Sequence, residues 1–163
     1  FAIILFVGFD YPKVLSDSSS LSYYNDLIAK GAISQWNIEK SPMGMNEIIV
    51  IDEELAVMQA KKILKENLKL DNDYEPVENS ILYDKPDIDI QIVNPEFPTF
   101  IYGLGFIENP TVIVKSKYRT RSGFSKKLLE HEKERIYELV YEENFGKIDE
   151  ESVKVNKRNA SLK

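Results

Sequence analysis

The segment Asp87-Ile88-Asp89-Ile90-Gln91-Ile92 alternates strictly between polar and branched apolar residues. Such a two-residue period is the repeat of a half-buried β-strand, because successive side chains of a strand point to opposite faces. It also fixes a register. A slip of one residue would bury two aspartates, and an unpaired buried carboxylate costs enough to be neutralised rather than kept as a charge. Ile88, Ile90 and Ile92 are therefore expected to face a core and Asp87, Asp89 and Gln91 to face water. Pro86 and Pro95 bracket the strand. Residues 98–102 and 110–118 read as two further strands, with Gly103, Gly105 and Asn109-Pro110 between them as turns. The short connections favour antiparallel pairing. Val112 and Val114 should point inward and Lys115 or Lys117 outward.

Helices are expected on either side of this sheet. Residues 16–20, Ser-Asp-Ser-Ser-Ser, can cap a helix, and Leu21, Tyr24, Leu27, Ile28, Ala32 and Trp36 then recur at helical spacing to about Lys40. Gly31 within that stripe suggests a kink or a close approach. Ser41-Pro42-Met43-Gly44 ends the helix. A short buried strand, Ile48–Ile51, follows. Asp52 reads as an N-cap, and Ala56, Val57, Ala60, Ile63, Leu64 and Leu68 form the buried stripe of a second helix. Leu128, Leu129, Ile136, Leu139 and Val140 suggest a charged amphipathic helix from about Ser125 to Glu143. The expected fold class is α+β: an N-terminal hydrophobic or anchor segment, two helices, a small antiparallel sheet and a C-terminal amphipathic helix.

The ends of the chain differ from its middle. Residues 1–9, Phe-Ala-Ile-Ile-Leu-Phe-Val-Gly-Phe, carry no charge. Nine residues are too few to cross a bilayer, which takes roughly 20. They read as the end of a longer hydrophobic segment, a signal anchor or signal-peptide core, with a buried first strand as the other reading. Asp10, Tyr11, Pro12 and Lys13 would be its water-side flank. Residues 1–15 are thus assigned to the anchor, 16–145 to a single extracytoplasmic domain, and 146–163 to a charged flexible tail. The 163 residues suffice for one sizeable core.

Little in the sequence carries chemistry. There is no cysteine and one histidine, which excludes thiol catalysis, disulfides and histidine clusters. With 21 Lys and Arg against 27 Asp and Glu, the net charge of -6 argues against a nucleic-acid partner. Asp71-x-Asp73-x-Glu75 resembles the start of a calcium loop, yet Pro76 and Leu82 stand where its Gly and Glu belong. Asp84, Asp87 and Asp89 could hold a hard cation but also suit the solvent face of an edge strand. His131 is expected on the exposed side of the last helix. Ser18, Ser19 and Ser20 have no base at nucleophile spacing, and Gly103-Leu104-Gly105 is a turn rather than a phosphate loop. Lys115, Lys117, Arg119 and Arg121, with Tyr118 among them, form one basic stripe that would suit a phosphate-rich partner but is read as a solvent face paired with Asp87 and Asp89. No catalytic, cofactor-binding or metal-ligating residue is assigned.

Three further stretches carry a resemblance: Tyr23-Tyr24-Asn25-Asp26-Leu27-Ile28-Ala29-Lys30-Gly31-Ala32, Ile51-Asp52-Glu53-Glu54-Leu55-Ala56, and Leu64-Lys65-Glu66-Asn67-Leu68-Lys69-Leu70-Asp71. In this order, after a hydrophobic start and before a strand ending at Asn94, they resemble the TadE-like proteins of Gram-positive bacteria over residues 1–120. These are small membrane-anchored, pseudopilin-type components of tight-adherence pili or related secretion systems. A mature pilin start would carry Glu at the fifth position, where this chain has Leu5. The resemblance implies a non-enzymatic structural or assembly component at the cell membrane. Its partners would be the membrane, through the N-terminal segment, and other pilus or secretion proteins. The other expectation is an anchored extracytoplasmic domain that binds a ligand or carbohydrate through exposed Tyr and Trp.

Overall fold

The computed structural model describes residues 10–123 and 126–159. The apolar run 1–9, on which the anchor expectation rests, lies outside the described residues. No described helix is long and apolar enough to cross a membrane. Among the described residues two α-helices, α1 (Tyr11–Ile33) and α2 (Glu53–Leu68), lie with ten strands in four sheets. The strands are β1 (Trp36–Lys40), β2 (Glu47–Ile51), β3 (Asp87–Val93), β4 (Thr99–Ile101), β5 (Gly105–Ile107), β6 (Thr111–Arg121), β7 (Leu128–Val140), β8 (Glu143–Asn144), β9 (Lys147–Ile148) and β10 (Lys154–Arg158). The main sheet is antiparallel with order β10-β7-β6-β3. Three two-stranded hairpins, β1-β2, β4-β5 and β8-β9, interrupt the connections.

This arrangement corrects the expected layout of two helices and a closing helix. Residues 128–140 form the longest strand, paired along all of β6 from Thr111↔Glu138 to Arg121↔Leu128. The physical reason is in Glu130-His131-Glu132-Lys133-Glu134-Arg135. Acidic residues take one face and basic residues the other only with a two-residue period. In the strand the acids meet the basic stripe of β6, and the bases meet polar side chains of α1. A helix would mix both signs around its circumference.

The first helix is displaced too. Its described span is Tyr11–Ile33, with Pro12 near the start of that span. Residues 16–20 are therefore inside the helix, not at its cap. Their polar groups find partners instead: Asp17 pairs with Lys13 at 2.5 Å, and Ser18 accepts a hydrogen bond from Lys133 at 2.8 Å. The helix stops at Ile33, and Trp36 begins β1. Trp36 and Ile38 turn towards the main core while Asn37 and Glu39 are exposed, the alternation of a strand. Pairing with β2, Trp36↔Ile51 through Lys40↔Glu47, decides in its favour. Part of the expected tail is structured as well. Lys154–Arg158 extends the sheet by pairing with Val140–Ile136.

The second helix and the alternating strand match the expectation. Asp52 Oδ1 accepts from Leu55 N at 2.9 Å as the N-cap, and Ala56, Ala60, Leu64 and Leu68 are buried. Ile88, Ile90 and Ile92 pack against the main core, and Asp87 and Asp89 are exposed. Val112 and Val114 are fully buried, while Lys115 and Lys117 are exposed.

The core lies between α1 and the sheet's inner face and extends to α2. Leu21, Ile28, Ala29, Ala32 and Ile33 of α1 meet Val112, Val114, Tyr118, Tyr137 and Leu139, with the α2 stripe, Ile49 and Ile51 alongside. Small residues at Ala29, Ala32, Ala56 and Ala60 allow the two helices to approach closely. Gly31 serves that approach: a Cβ there would run into the Cδ1 of Ile63.

Asn94, just beyond β3, joins the main sheet to the β1-β2 hairpin. Its amide accepts from Ile51 N at 2.8 Å and donates to Ile51 O at 2.9 Å, as a neighbouring strand would. Asn94→Ala leaves both backbone groups unpaired and should cost about 1–3 kcal/mol. Asp89→Asn on the solvent face should stay within about 0.5 kcal/mol. Urea denaturation of the two variants checks the contrast.

Candidate functional site

The outer face of the main sheet, opposite the helices, is built from three strands of charge. Register places Asp87 opposite Lys117 and Lys117 opposite Glu132, then Asp89 opposite Lys115 and Lys115 opposite Glu134. Lys117 Nζ lies 3.2 Å from Glu132 Oε1, and Lys115 Nζ lies 3.6 Å from Glu134 Oε1. Glu132, with Glu130 and Asp87 nearby, raises the pKa of Lys117 and holds it charged. Arg119 Nε donates to Asp84 Oδ1 at 3.2 Å, and the Arg121 guanidinium sits 4.4 Å over the Tyr83 ring. Lys115, Lys117 and Arg119 of the basic stripe thus face the chain's own carboxylates, and Arg121 lies over a ring. Asp84, Asp87 and Asp89 each have a lysine or arginine neighbour on the adjacent strand.

The β4-β5 hairpin packs on one end of this face. Ile101, Leu104 and Ile107 form a second small core with Val93, Ile113 and Ile136. Because the pleat alternates, anchoring these residues turns Phe100 and Phe106 outward. They pair directly across the hairpin, ring centroids 5.5 Å apart and edge to face. Phe97, Phe100, Tyr102 and Phe106 are 61–86% exposed. The tip, Tyr102-Gly103-Leu104, overhangs the charge ladder and encloses with it a cleft of about 570 Å³. Gly103 and Gly105 have φ of +85° and +81°, so this tip needs glycine at both positions. The surface offers aromatic area beside ordered charges.

The remaining sequence candidates lie elsewhere. Asp71 Oδ1 accepts from the backbone N of Asp73 at 2.9 Å and of Glu75 at 3.0 Å, which makes it a turn cap. Among the described residues no group of three or more His, Asp or Glu is placed to hold a metal ion. Trp36 is half-buried against the main core, so it is not an exposed aromatic platform. His131 is not exposed on a helix. It is buried on the inner face of β7, with Nε2 2.9 Å from Thr120 Oγ1. Burial lowers its pKa, and so do Lys133 and Lys13, with Asp17 opposing them.

Polar side chains fill the rest of that inner interface, and hydropathy patterning did not find them. Asn25 Oδ1 accepts from Ser116 Oγ at 2.6 Å and from Tyr118 Oη at 3.3 Å. Burial pushes the Tyr118 hydroxyl up to about 12, against the hydrogen bond with Ser116. Asp26 gathers Lys30 at 2.8 Å, the Tyr137 hydroxyl at 2.5 Å, Lys157 at 3.3 Å and Arg135 at 3.4 Å. Burial alone would raise its pKa. The hydrogen bonds from Lys30, Tyr137 and Lys157 outweigh that and bring it down to about 2. The sign alternation of residues 130–135 was the signal that could have revealed this layer.

Both titrations affect stability. Asp26 has a lowered native pKa, so its contribution is full above about pH 4 and is lost as pH falls towards 2. His131 is also lowered, so the native state favours neutral imidazole and stability falls as pH drops below about 6.5. Urea midpoints followed from pH 7.5 to pH 2.5 should fall in both windows. Asp26→Asn should flatten the lower window and His131→Gln the upper one. The chain matches no protein family, no curated protein and no solved structure.

Proposed function

We propose that this protein is a non-enzymatic, membrane-anchored assembly component with its domain on the extracytoplasmic side, of the pseudopilin type used in pili or secretion systems. The observation that carries the reading is the outward face of the β4-β5 hairpin. Four aromatic side chains within residues 97–106 are exposed together on a hairpin anchored from beneath. Apolar surface exposed on one hairpin, with Phe100 and Phe106 in edge-to-face contact, supports an interaction site there. The apolar sequence run 1–9 directly before α1 supports a membrane tether. The acidic net charge and the internally paired basic stripe favour protein partners over nucleic acid.

A photo-crosslinking residue at position 100, in the native host and in the full coding chain, tests the reading. Discrete adducts with other envelope proteins, in the membrane fraction, are expected from position 100 and not from position 66, an exposed site on α2. The double variant Phe100→Ser with Phe106→Ser should lose the adducts of a second crosslinker at position 102. It should cost the fold only about 1 kcal/mol, the scale of an aromatic pair. A soluble protein with no adducts would overturn the proposal. Saturable binding of a soluble polysaccharide at the hairpin, without protein adducts, would assign the surface to ligand binding instead.

A further inference from the structure

β7 is thirteen residues long, and β10 covers only its last five. On the other side β6 pairs with β7 as far as Leu128. Among the described residues no strand pairs with the β10 side of Leu128–Arg135. Which backbone groups face that side follows from one hydrogen bond. Leu139 N donates to Pro110 O at 2.9 Å, on the β6 side, so odd-numbered residues of β7 direct N–H and C=O towards β6. Even-numbered residues direct theirs the other way. Residues 136, 138 and 140 are covered by β10. Leu128, Glu130, Glu132 and Glu134 continue the same row beyond its end. Of this row, Glu134 O accepts from the Arg135 guanidinium at 2.8 Å.

The side chains flanking this edge are sorted by charge. Glu130, Glu132 and Glu134 lie on the outer face, and His131, Lys133 and Arg135 on the inner one. Arg135 is paired with Asp26, whereas the Lys133 ammonium donates to a neutral group, the Ser18 hydroxyl. We infer that the β10 side of Leu128–Arg135 is a strand-addition site for an extended peptide segment with Lys or Arg at alternate positions and Asp or Glu between them. The basic residues would lie beside the three glutamates and the acidic ones beside Lys133. Both rows gain opposite-sign neighbours, the favourable arrangement for side chains directly across a ladder. A second copy of this edge does not fit. Antiparallel pairing of β7 with itself keeps outer face with outer face, and so sets even-numbered residues against even-numbered ones. Glutamate then opposes glutamate in each register that overlaps the three. This inference stands on the sheet edge alone and does not depend on the pilus reading.

The test uses the full chain and a capped octapeptide of alternating Lys and Asp, followed by NMR and amide hydrogen exchange. Binding should slow exchange at Glu130, Glu132 and Glu134 while leaving His131 and Lys133, already facing β6, unchanged. The same peptide methylated on its lysine backbone nitrogens keeps every charge but loses the donors that would face the edge. It should bind at least about tenfold more weakly. Glu132→Lys, at an exposed position on the outer face, should weaken the unmethylated peptide by a similar factor with the far-UV spectrum unchanged. Equal affinity for both peptides, or protection without the even-odd alternation, would overturn strand addition. Protection that grows with protein concentration without peptide would assign the edge to a second copy. Protection in the peptide-free monomer that vanishes on deletion of residues 160–163 would assign it to the chain's own end. Either of these outcomes overturns the proposal.

Discussion

The Asp26 carboxylate is the point at which the main elements are tied together. It lies on α1, accepts from Tyr137 on β7 and pairs with Arg135 on the same strand and with Lys157 on β10. Its own helix adds Lys30 one turn on. A carboxylate lodged between helix and sheet is costly unless its lone pairs are satisfied. Here they are satisfied only when helix, central strand and edge strand all occupy these positions. The hydrophobic contacts of Ile28, Ala29 and Ala32 would tolerate small shifts along the sheet. The Asp26 cluster does not, so specificity of packing comes from the polar layer and most of the driving force from the apolar one.

The two faces of the sheet follow from the same alternation. On the inner face the basic residues of β7 meet Ser18 and Asp26, and Asn25 meets Ser116 and Tyr118. On the outer face the glutamates of β7 meet the lysines of β6, which in turn meet the aspartates of β3. Strands with polar groups on both faces have weakly specified registers when those groups are interchangeable. Opposite signs in adjacent columns remove that freedom, because a slip by one residue sets like against like. The β4-β5 hairpin then covers the one apolar end of the outer face, at Ile113 and Ile136. Its aromatic outer side is a consequence of that anchoring, and it is the surface on which the proposed assembly role rests.

Where apolar residues alternate or recur strongly, the sequence was sufficient. Ile88, Ile90 and Ile92 specified both strand and face, since either error would have buried aspartates. Asp52 and the stripe Ala56, Ala60, Leu64 and Leu68 specified α2 and its start, because cap chemistry and hydrophobic spacing are both local. The turn at Gly103 to Gly105 was legible for the same reason. The aromatic surface was present in the composition of residues 97–106, yet its exposure depends on which hairpin side finds Ile113 and Ile136.

Tertiary structure decided the elements whose local pattern admits two readings. Leu128, Leu129, Ile136, Leu139 and Val140 suit a helix, and only β6 and α1, supplying opposite charges on two sides, make the strand the better state. Ser16 to Ser20 suit an N-cap until Lys133 reaches Ser18 and makes a helix interior acceptable there. Trp36 to Lys40 suit the end of a helix until β2 offers a ladder. Lys154 to Arg158 have too little apolar surface to order alone and become a strand because β7 presents unpaired backbone and Asp26 a charge. In each case the deciding partner is distant in sequence, and a reading built on neighbours three or four residues apart contains no information about it.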